Sequence, residues 1–385
     1  MLRQTQLWWE ILLNKLKNSR MNIPCLDINK QYLSIKAEIL AKTEEVFDSN
    51  AFSGGPYVAA FEKDFAAFCE SKFSLGCNNG TTALHLALLA LGIKSGDEVI
   101  LPANTFIATA WAISYVGAIP VFVDNDPNTW EIDVNQIEAK ITPKTKAIIG
   151  VHLYGQPFDI DAVRSIAEKH QLFVVEDAAQ AQGARYKGKP VGTFGDIGCF
   201  SFYPGKNLGA FGEAGGLTMQ DESYAKHIMR LRNHGMEQRY YHEEIGYNYR
   251  MDGLQGAILS IKLKYLANWN SRRKEIAQKY LSQIVNPLIT MQHQPEWSDS
   301  VFHLFVVTTP DRENFAAFLA NNGIQVGYHY PVPCHLQNAY KSLGYSTGDF
   351  PNAEYLAAHC VSLPMFAELT DEEVSHVIDI VNQYK

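Results

Sequence analysis

Between residues 73 and 220 short apolar runs rich in β-branched side chains alternate with longer stretches of helical periodicity. Glu98 to Leu101, Ile119 to Val123, Ala147 to Val151, Leu172 to Val175 and Gly198 to Ser201 read as strands, in a segment where Gly, Pro and Asp close such runs. Thr82 to Leu91, Thr109 to Val116 and Ile160 to Lys169 repeat their apolar residues every three or four positions and read as helices. This alternation predicts an α/β domain with a largely parallel sheet. In such sheets ligands bind beyond the carboxyl ends of the strands, so functional residues are expected there.

A long helix-forming stretch follows from Leu254 to about Gln283, after which the texture changes. Val301 to Thr308, Ala316 to Asn321, Gln325 to His329 and Asp371 to Gln383 predict a smaller α/β sandwich. The chain has 385 residues, more than one domain usually holds, and the expected division is a large domain over 21–265 and a small C-terminal one over 266–385. Residues 1–20 carry Leu7, Trp8, Trp9, Ile11, Leu12 and Leu13, but Glu10 interrupts the run and no small-residue cleavage site follows. They read as an extension outside the core fold, with an amphipathic helix as the alternative.

The formal charge of −8 and the scatter of Lys and Arg exclude a general affinity for nucleic acid, while leaving room for a small anion held by local donors. Cys25, Cys69, Cys77, Cys199, Cys334 and Cys360 lie far apart without a C-x-x-C pair. Buried free thiols in a reducing cytoplasm are therefore expected, and neither a zinc site nor any other metal centre. No apolar run reaches the length of a membrane span.

Three places carry chemistry. Asn78-Asn79-Gly80-Thr81-Thr82 precedes an apolar helix whose free N–H groups would face a phosphate; a simple helix cap is the alternative. The strand Leu172 to Val175 ends on Glu176 and Asp177, and Asp177 would pair with a protonated pyridine nitrogen, with Gln180 near the ring. The alternative for Asp177 is a helix cap. Lys206 sits in a Pro/Gly-rich loop just after a strand, five residues beyond Ser201. A lone loop lysine is ordinarily a solvated charge, but phosphate loop, strand-end acid and loop lysine stand here in the order that Schiff-base chemistry on pyridoxal 5′-phosphate (PLP) requires.

Asn-Gly-Thr-Thr-Ala-Leu from Asn79, Glu-Asp-Ala-Ala-Gln from Glu176 and Ser-Phe-Tyr-Pro-Gly-Lys-Asn-Leu-Gly from Ser201 together resemble the DegT/DnrJ/EryC1/StrS family of sugar aminotransferases, over about residues 22 to 384. The resemblance implies fold type I of the PLP enzymes, a homodimer with shared active sites, L-glutamate as amino donor, and pyridoxamine 5′-phosphate (PMP) as the aminated form of the cofactor. It assigns Lys206 as the Schiff-base lysine and proton carrier, Asp177 to the pyridine nitrogen and Gln180 to the ring hydroxyl. Gly80, Thr81, Thr82 and Ser201 fall to the phosphate, and Phe106 to the ring face. Asn248 is assigned to the partner's phosphate. Core packing for Phe106 and turn formation for Asn248 are the alternatives. Relatives with histidine at the lysine position dehydrate their substrates, and retention of Lys206 favours transamination.

Gly327-Tyr-His-Tyr-Pro-Val-Pro-Cys-His resembles the substrate-facing loop of members that aminate carbon 3 of a nucleotide-linked keto sugar. Tyr203, His329, Tyr330 and His335 are the implied substrate contacts. The alternative makes His329-Tyr-Pro a strand end and His335 a surface residue. A dTDP-linked 3-keto-6-deoxyhexose comes first among substrates, UDP-linked 3-keto or 4-keto sugars second. A sensor that keeps the pocket without turnover is the rival class; the intact Lys206, Asp177 and Gln180 set stands against it. A plain nucleotide-binding module lacks its G-x-G-x-x-G signature.

Overall fold

Alternation along the strands sorts their side chains onto two faces. The structure, a computed structural model, describes residues 21–385, and the expected extension 1–20 lies outside the described residues. Its main sheet contains β1 (Phe73–Cys77), β2 (Glu98–Pro102), β3 (Ile119–Val123), β4 (Thr145–Val151), β5 (Phe173–Asp177), β6 (Ile197–Ser201) and β7 (Gly215–Met219). Their spatial order is β1-β7-β6-β5-β4-β2-β3. All neighbours run parallel except β7, which is antiparallel to both β1 and β6.

Val99, Leu101, Ile149, Val175 and Cys199 project to one face, where α3 (Gly80–Ala90), α4 (Ala108–Tyr115) and α6 (Glu222–Leu231) cover them. Ile100, Ile148, Val174 and Phe200, one residue out of phase, project to the other face, onto α2 (Pro56–Phe68), α5 (Ile160–His170) and the start of α7 (Gly253–Gln283). Phe65 of α2 meets Phe200 and Phe202 edge-on at 5.0 and 5.1 Å, and burying each such ring contributes about 1.5–3 kcal/mol.

Helix α7 has 31 residues and is about 46 Å long. Its first half gives Leu259 and Leu266 to the main core. Its second half gives Ile276, Ala277 and Tyr280 to a separate core shared with α10 (Asp371–Gln383), α8 (Arg312–Asn321) and a small antiparallel sheet. That sheet is ordered β8 (Thr290–Met291), β9 (Phe305–Thr308), β10 (Cys360–Leu363). Residue 265 lies within α7.

Two sequence expectations differ from this architecture. The strand foreseen over 301–308 begins only at Phe305, because the carbonyls of Val301, Phe302 and His303 accept bonds from the side chains of Asn207 and Arg273 instead of joining a ladder. Gln325 to His329 forms no extended strand, and only Gly327 bridges to Ser362. All six cysteines are free thiols. Among the described residues no helix is long and apolar enough to cross a membrane, and no group of three or more His, Cys, Asp or Glu is arranged to hold a metal.

Candidate active site

The carboxyl ends of β4, β5 and β6 and the N-terminus of α3 open into one cavity of about 1090 Å³. Gly80, Thr81, Thr82, Phe106, Asp177, Gln180, Ser201, Tyr203, Lys206, His329 and Tyr330 all line it.

Helix α3 begins there because Asn79 caps it. The Asn79 carboxamide oxygen accepts from the Thr82 N–H at 2.9 Å, and the Asn79 N–H donates to the Thr82 hydroxyl at 3.3 Å. The Thr82 hydroxyl in turn donates to Asn78 at 2.6 Å. Thr82 is thereby committed to the cap, so the groups left for an anion are the N–H groups of Gly80 and Thr81, the Thr81 hydroxyl and Ser201. Ser201 Oγ accepts from the Tyr203 N–H at 3.3 Å, which leaves its own proton to donate. Glycine at 80 is required by proximity, since an added Cβ would stand 2.7 Å from Ser201 Cβ and 3.1 Å from its Cα. Gly80→Ala should push the helix off β6 at a cost of about 1–3 kcal/mol. It should also weaken binding of a phosphate-bearing ligand, read by thermal unfolding and by titration with PLP.

Two acids end β5, and strand alternation separates them. Glu176 is wholly buried and accepts from the N–H groups of Gly192, Phe194 and Gly195 at 2.6–2.7 Å and from His152 at 3.0 Å. Burial raises its carboxyl, but these donors outweigh the effect and hold it below the usual range. Asp177 faces the cavity with less compensation, accepting from the Thr109 hydroxyl at 2.8 Å and the Ala179 N–H at 3.1 Å. Burial pushes its pKa up, against the pull of Thr109, Ala179 and Lys206. A cationic N–H at this oxygen would supply the missing compensation.

Lys206 follows β6 in a turn closed by its N–H donating to the Tyr203 carbonyl at 2.8 Å. Burial lowers its amine to about 8, opposed by Asp177. Gln180 spends its oxygen on the Tyr154 N–H at 2.6 Å and one N–H on the Tyr330 hydroxyl at 2.9 Å, so one N–H remains for a ligand. Phe106 is half exposed at the cavity wall, its ring 5.5 Å from that of Tyr330. The His329 ring bonds Ser362 at 2.7 Å, and burial followed by the Lys206 charge lowers it to about 4, so it is neutral at physiological pH.

These groups fit PLP. A helix N-terminus with Thr81 and Ser201 suits the phosphate, the undercompensated buried carboxylate suits a pyridinium, and a half-buried amine of lowered pKa suits the aldehyde. The model of the DegT/DnrJ/EryC1/StrS aminotransferase family matches residues 33–382. The chain belongs to that family. Its fold is therefore fold type I of the PLP enzymes, and the chain is a PLP-dependent aminotransferase.

It is similar to a pleiotropic regulatory protein of Geobacillus stearothermophilus, at 45% identity over 94% of this chain and 99% of the relative. It is equally similar to dTDP-3-amino-3,6-dideoxy-α-D-galactopyranose transaminase of Aneurinibacillus thermoaerophilus, at 46% over 94% and 99%. Among solved structures, that of Streptomyces venezuelae DesV in complex with a ketimine intermediate superposes with a TM-score of 0.93 at 43% identity, over 94% of this chain and 98% of that one. NtdA of Bacillus subtilis with bound PMP gives 0.88 at 32%, over 95% and 86%.

Two expected site residues of this family member stand outside the cavity. His335 is buried against the main-sheet core, bonded to Glu354 at 3.1 Å and packed edge-on against Phe350 at 4.7 Å. That corrects the expected sugar contact: the 3-10 turn at Cys334–Leu336 points the ring inward, and the surface alternative fails with it. Asn248 is exposed, its backbone bridging Asn233. Sequence reasoning missed Thr109, which holds Asp177, and His303, which lines the cavity. Thr109 closes the 102–109 stretch that holds Phe106, but nothing in that stretch points to Asp177, and His303 lies outside every motif.

Proposed function

We propose that the chain transfers the amino group of L-glutamate to carbon 3 of a dTDP-linked keto-6-deoxyhexose. The observation that carries this reading is the pairing of half-buried Lys206 and buried Asp177 with a wall of phenol and imidazole groups, Tyr203, Tyr330 and neutral His329, in one cavity. Such groups offer flat apolar bodies with donor and acceptor tips, which suits a hydroxyl-rich ring. The likeness to a dTDP-3-amino sugar transaminase supports carbon 3 and the dTDP carrier.

Bound PLP supplies a carrier for the amino group and an electron sink. Lys206 Nζ would take a proton from the substrate carbon and return it. Asp177, held by Thr109, would pair with the ring nitrogen. Gly80, Thr81 and Ser201 would hold the phosphate, Gln180 has one N–H left for the ring hydroxyl, and Phe106 would shield the ring from water. In a homodimer, exposed Asn248 would serve the partner's phosphate.

Purified protein assayed with glutamate and matched 3-keto and 4-keto dTDP sugars should favour the 3-keto compound by about 100-fold or more in kcat/KM, because the cavity's polar groups are left unpaired by the wrong isomer. Turnover of the 4-keto compound alone would end the proposal. A regulatory protein with the same pocket is the second reading, favoured by the likeness to the Geobacillus protein. A yellow protein whose visible band ignores every amino donor would establish it.

A further inference from the structure

His303 enters the cavity from the segment before β9, and its orientation is fixed on both sides by helix α7. Arg273, buried on that helix, donates to the carbonyls of Phe302 at 3.3 Å, His303 at 3.2 Å and Met365 at 2.8 Å, pinning the backbone. The side chain is pinned by a chain of amides. Asn270 of α7 donates to the Gln182 carbonyl at 2.8 Å, and Asn207 donates to Asn270 Oδ1 at 2.9 Å and to the Val301 carbonyl at 3.1 Å. Gly183, at φ +91°, leaves room for the Asn270 amide, which would stand 2.8 Å from an added Cβ.

This chain decides the tautomer of His303. Val301 O and Gln182 O are backbone carbonyls and can only accept, so the amide nitrogens of Asn207 and Asn270 face them. Both N–H groups of Asn207 are then used, and its Oδ1, 3.1 Å from His303 Nδ1, is an acceptor. His303 Nδ1 must carry the proton. Nε2 is left as a bare acceptor, and no protein group among the described residues pairs with it. Burial and the charges of Lys206 and Arg273, with His329 a further contributor, hold the ring well below its ordinary pKa, so it stays neutral.

We propose that His303 is a specificity-determining residue, its Nε2 a fixed acceptor for a sugar hydroxyl on a carbon next to the one that is aminated. This rests on the keto-sugar reading above and deepens it. The reacting carbon must stand at Lys206, and His303 lines the same cavity near enough to feel the Lys206 charge, so it belongs to the wall that would face substituents flanking that carbon. A neutral acceptor repels a carboxylate and rewards a donor, which selects the hydroxylated sugar over a keto acid in the second half-reaction.

The test compares the two half-reactions of the PLP-loaded enzyme by rapid-scan absorbance, using a keto sugar with the flanking hydroxyl and its analogue deoxygenated there. His303→Phe should lower kcat/KM for the hydroxylated sugar by about 10- to 100-fold. For the deoxy analogue and for glutamate the loss should be at least tenfold smaller. His303→Gln, whose amide oxygen reaches the place of Nε2, should restore most of the loss. Asn207→Asp should raise the pKa of the ring; below the new value Nε2 is protonated and ceases to accept, so the sugar half-reaction should fall at low pH and recover as pH rises. Equal losses for both sugars and for glutamate, or an Asn207→Asp variant whose sugar half-reaction keeps the wild-type pH profile, would overturn the proposal. Wild-type enzyme that aminates no keto sugar would instead sink the underlying reading, and this inference with it.

Discussion

Lys206→Ala should slow both half-reactions by about 10⁴-fold while leaving PMP bound. Among the described residues Lys206 is the only lysine lining the cavity, so none of their other amines is placed to take over the proton. Its environment prepares it for that task. With the amine lowered to about 8 by burial, roughly one molecule in ten is neutral at pH 7, against about one in three thousand for an ordinary lysine. The base-dependent step should accordingly accelerate as pH rises through about 8 and then level off. Retention of PMP follows because its phosphate would be held by Gly80, Thr81 and Ser201, none of which touches the amine's role. Single-turnover absorbance and equilibrium dialysis check the two parts separately. A variant with wild-type turnover would remove the lysine from the mechanism; one that loses PMP as well would show that the phosphate site was assigned wrongly.

Asp177→Asn should cost about 10²- to 10³-fold in turnover, the scale of losing one preorganised electrostatic partner. The change is nearly isosteric, and the Thr109 hydroxyl can still donate to the amide oxygen. What disappears is the negative charge, along with one of the two acceptors that Thr109 and Ala179 use; without the charge the ring nitrogen loses its proton and the ring becomes a poorer electron sink. The same substitution should leave the cofactor-free protein at least as stable as wild type. Asp177 is a buried carboxylate whose pKa is raised by desolvation, so removing its charge relieves a penalty. Loss of activity together with an unchanged or higher thermal midpoint separates an electronic role from a structural one. Turnover within about threefold of wild type would refute the role.

The parallel sheet and the helices on its faces were legible because apolar period and turn residues agree along 73–220. The Lys206, Asp177 and phosphate-loop motifs were legible because each is local: a strand end, a tight turn and a helix cap are written in consecutive residues. Strand β7 was not, since Gly215-Gly216 carries no β signal of its own and is drawn into the sheet by pairing with β1 and β6 on either side.

His335 marks the opposite limit. Its neighbours His329 and Tyr330 reach the cavity, but a 3-10 turn a few residues on reverses the direction, and no period in that Pro-rich stretch foretells which side faces in. Nor does the sequence distinguish Glu176 from Asp177 in environment. Adjacent strand residues point to opposite faces, and only the loop Gly192 to Gly195 wrapping one of them makes it structural and leaves the other to the site.

Thus the sequence by itself determined the fold class, the order of the motifs and the candidate for the reactive amine, because these depend on short-range pattern. The tertiary structure alone decided which amide satisfies which imidazole. Thr109 at Asp177 and the Asn270–Asn207–His303 chain join residues tens of positions apart, and a hydrogen bond's direction is settled by the fixed backbone carbonyls at its far end.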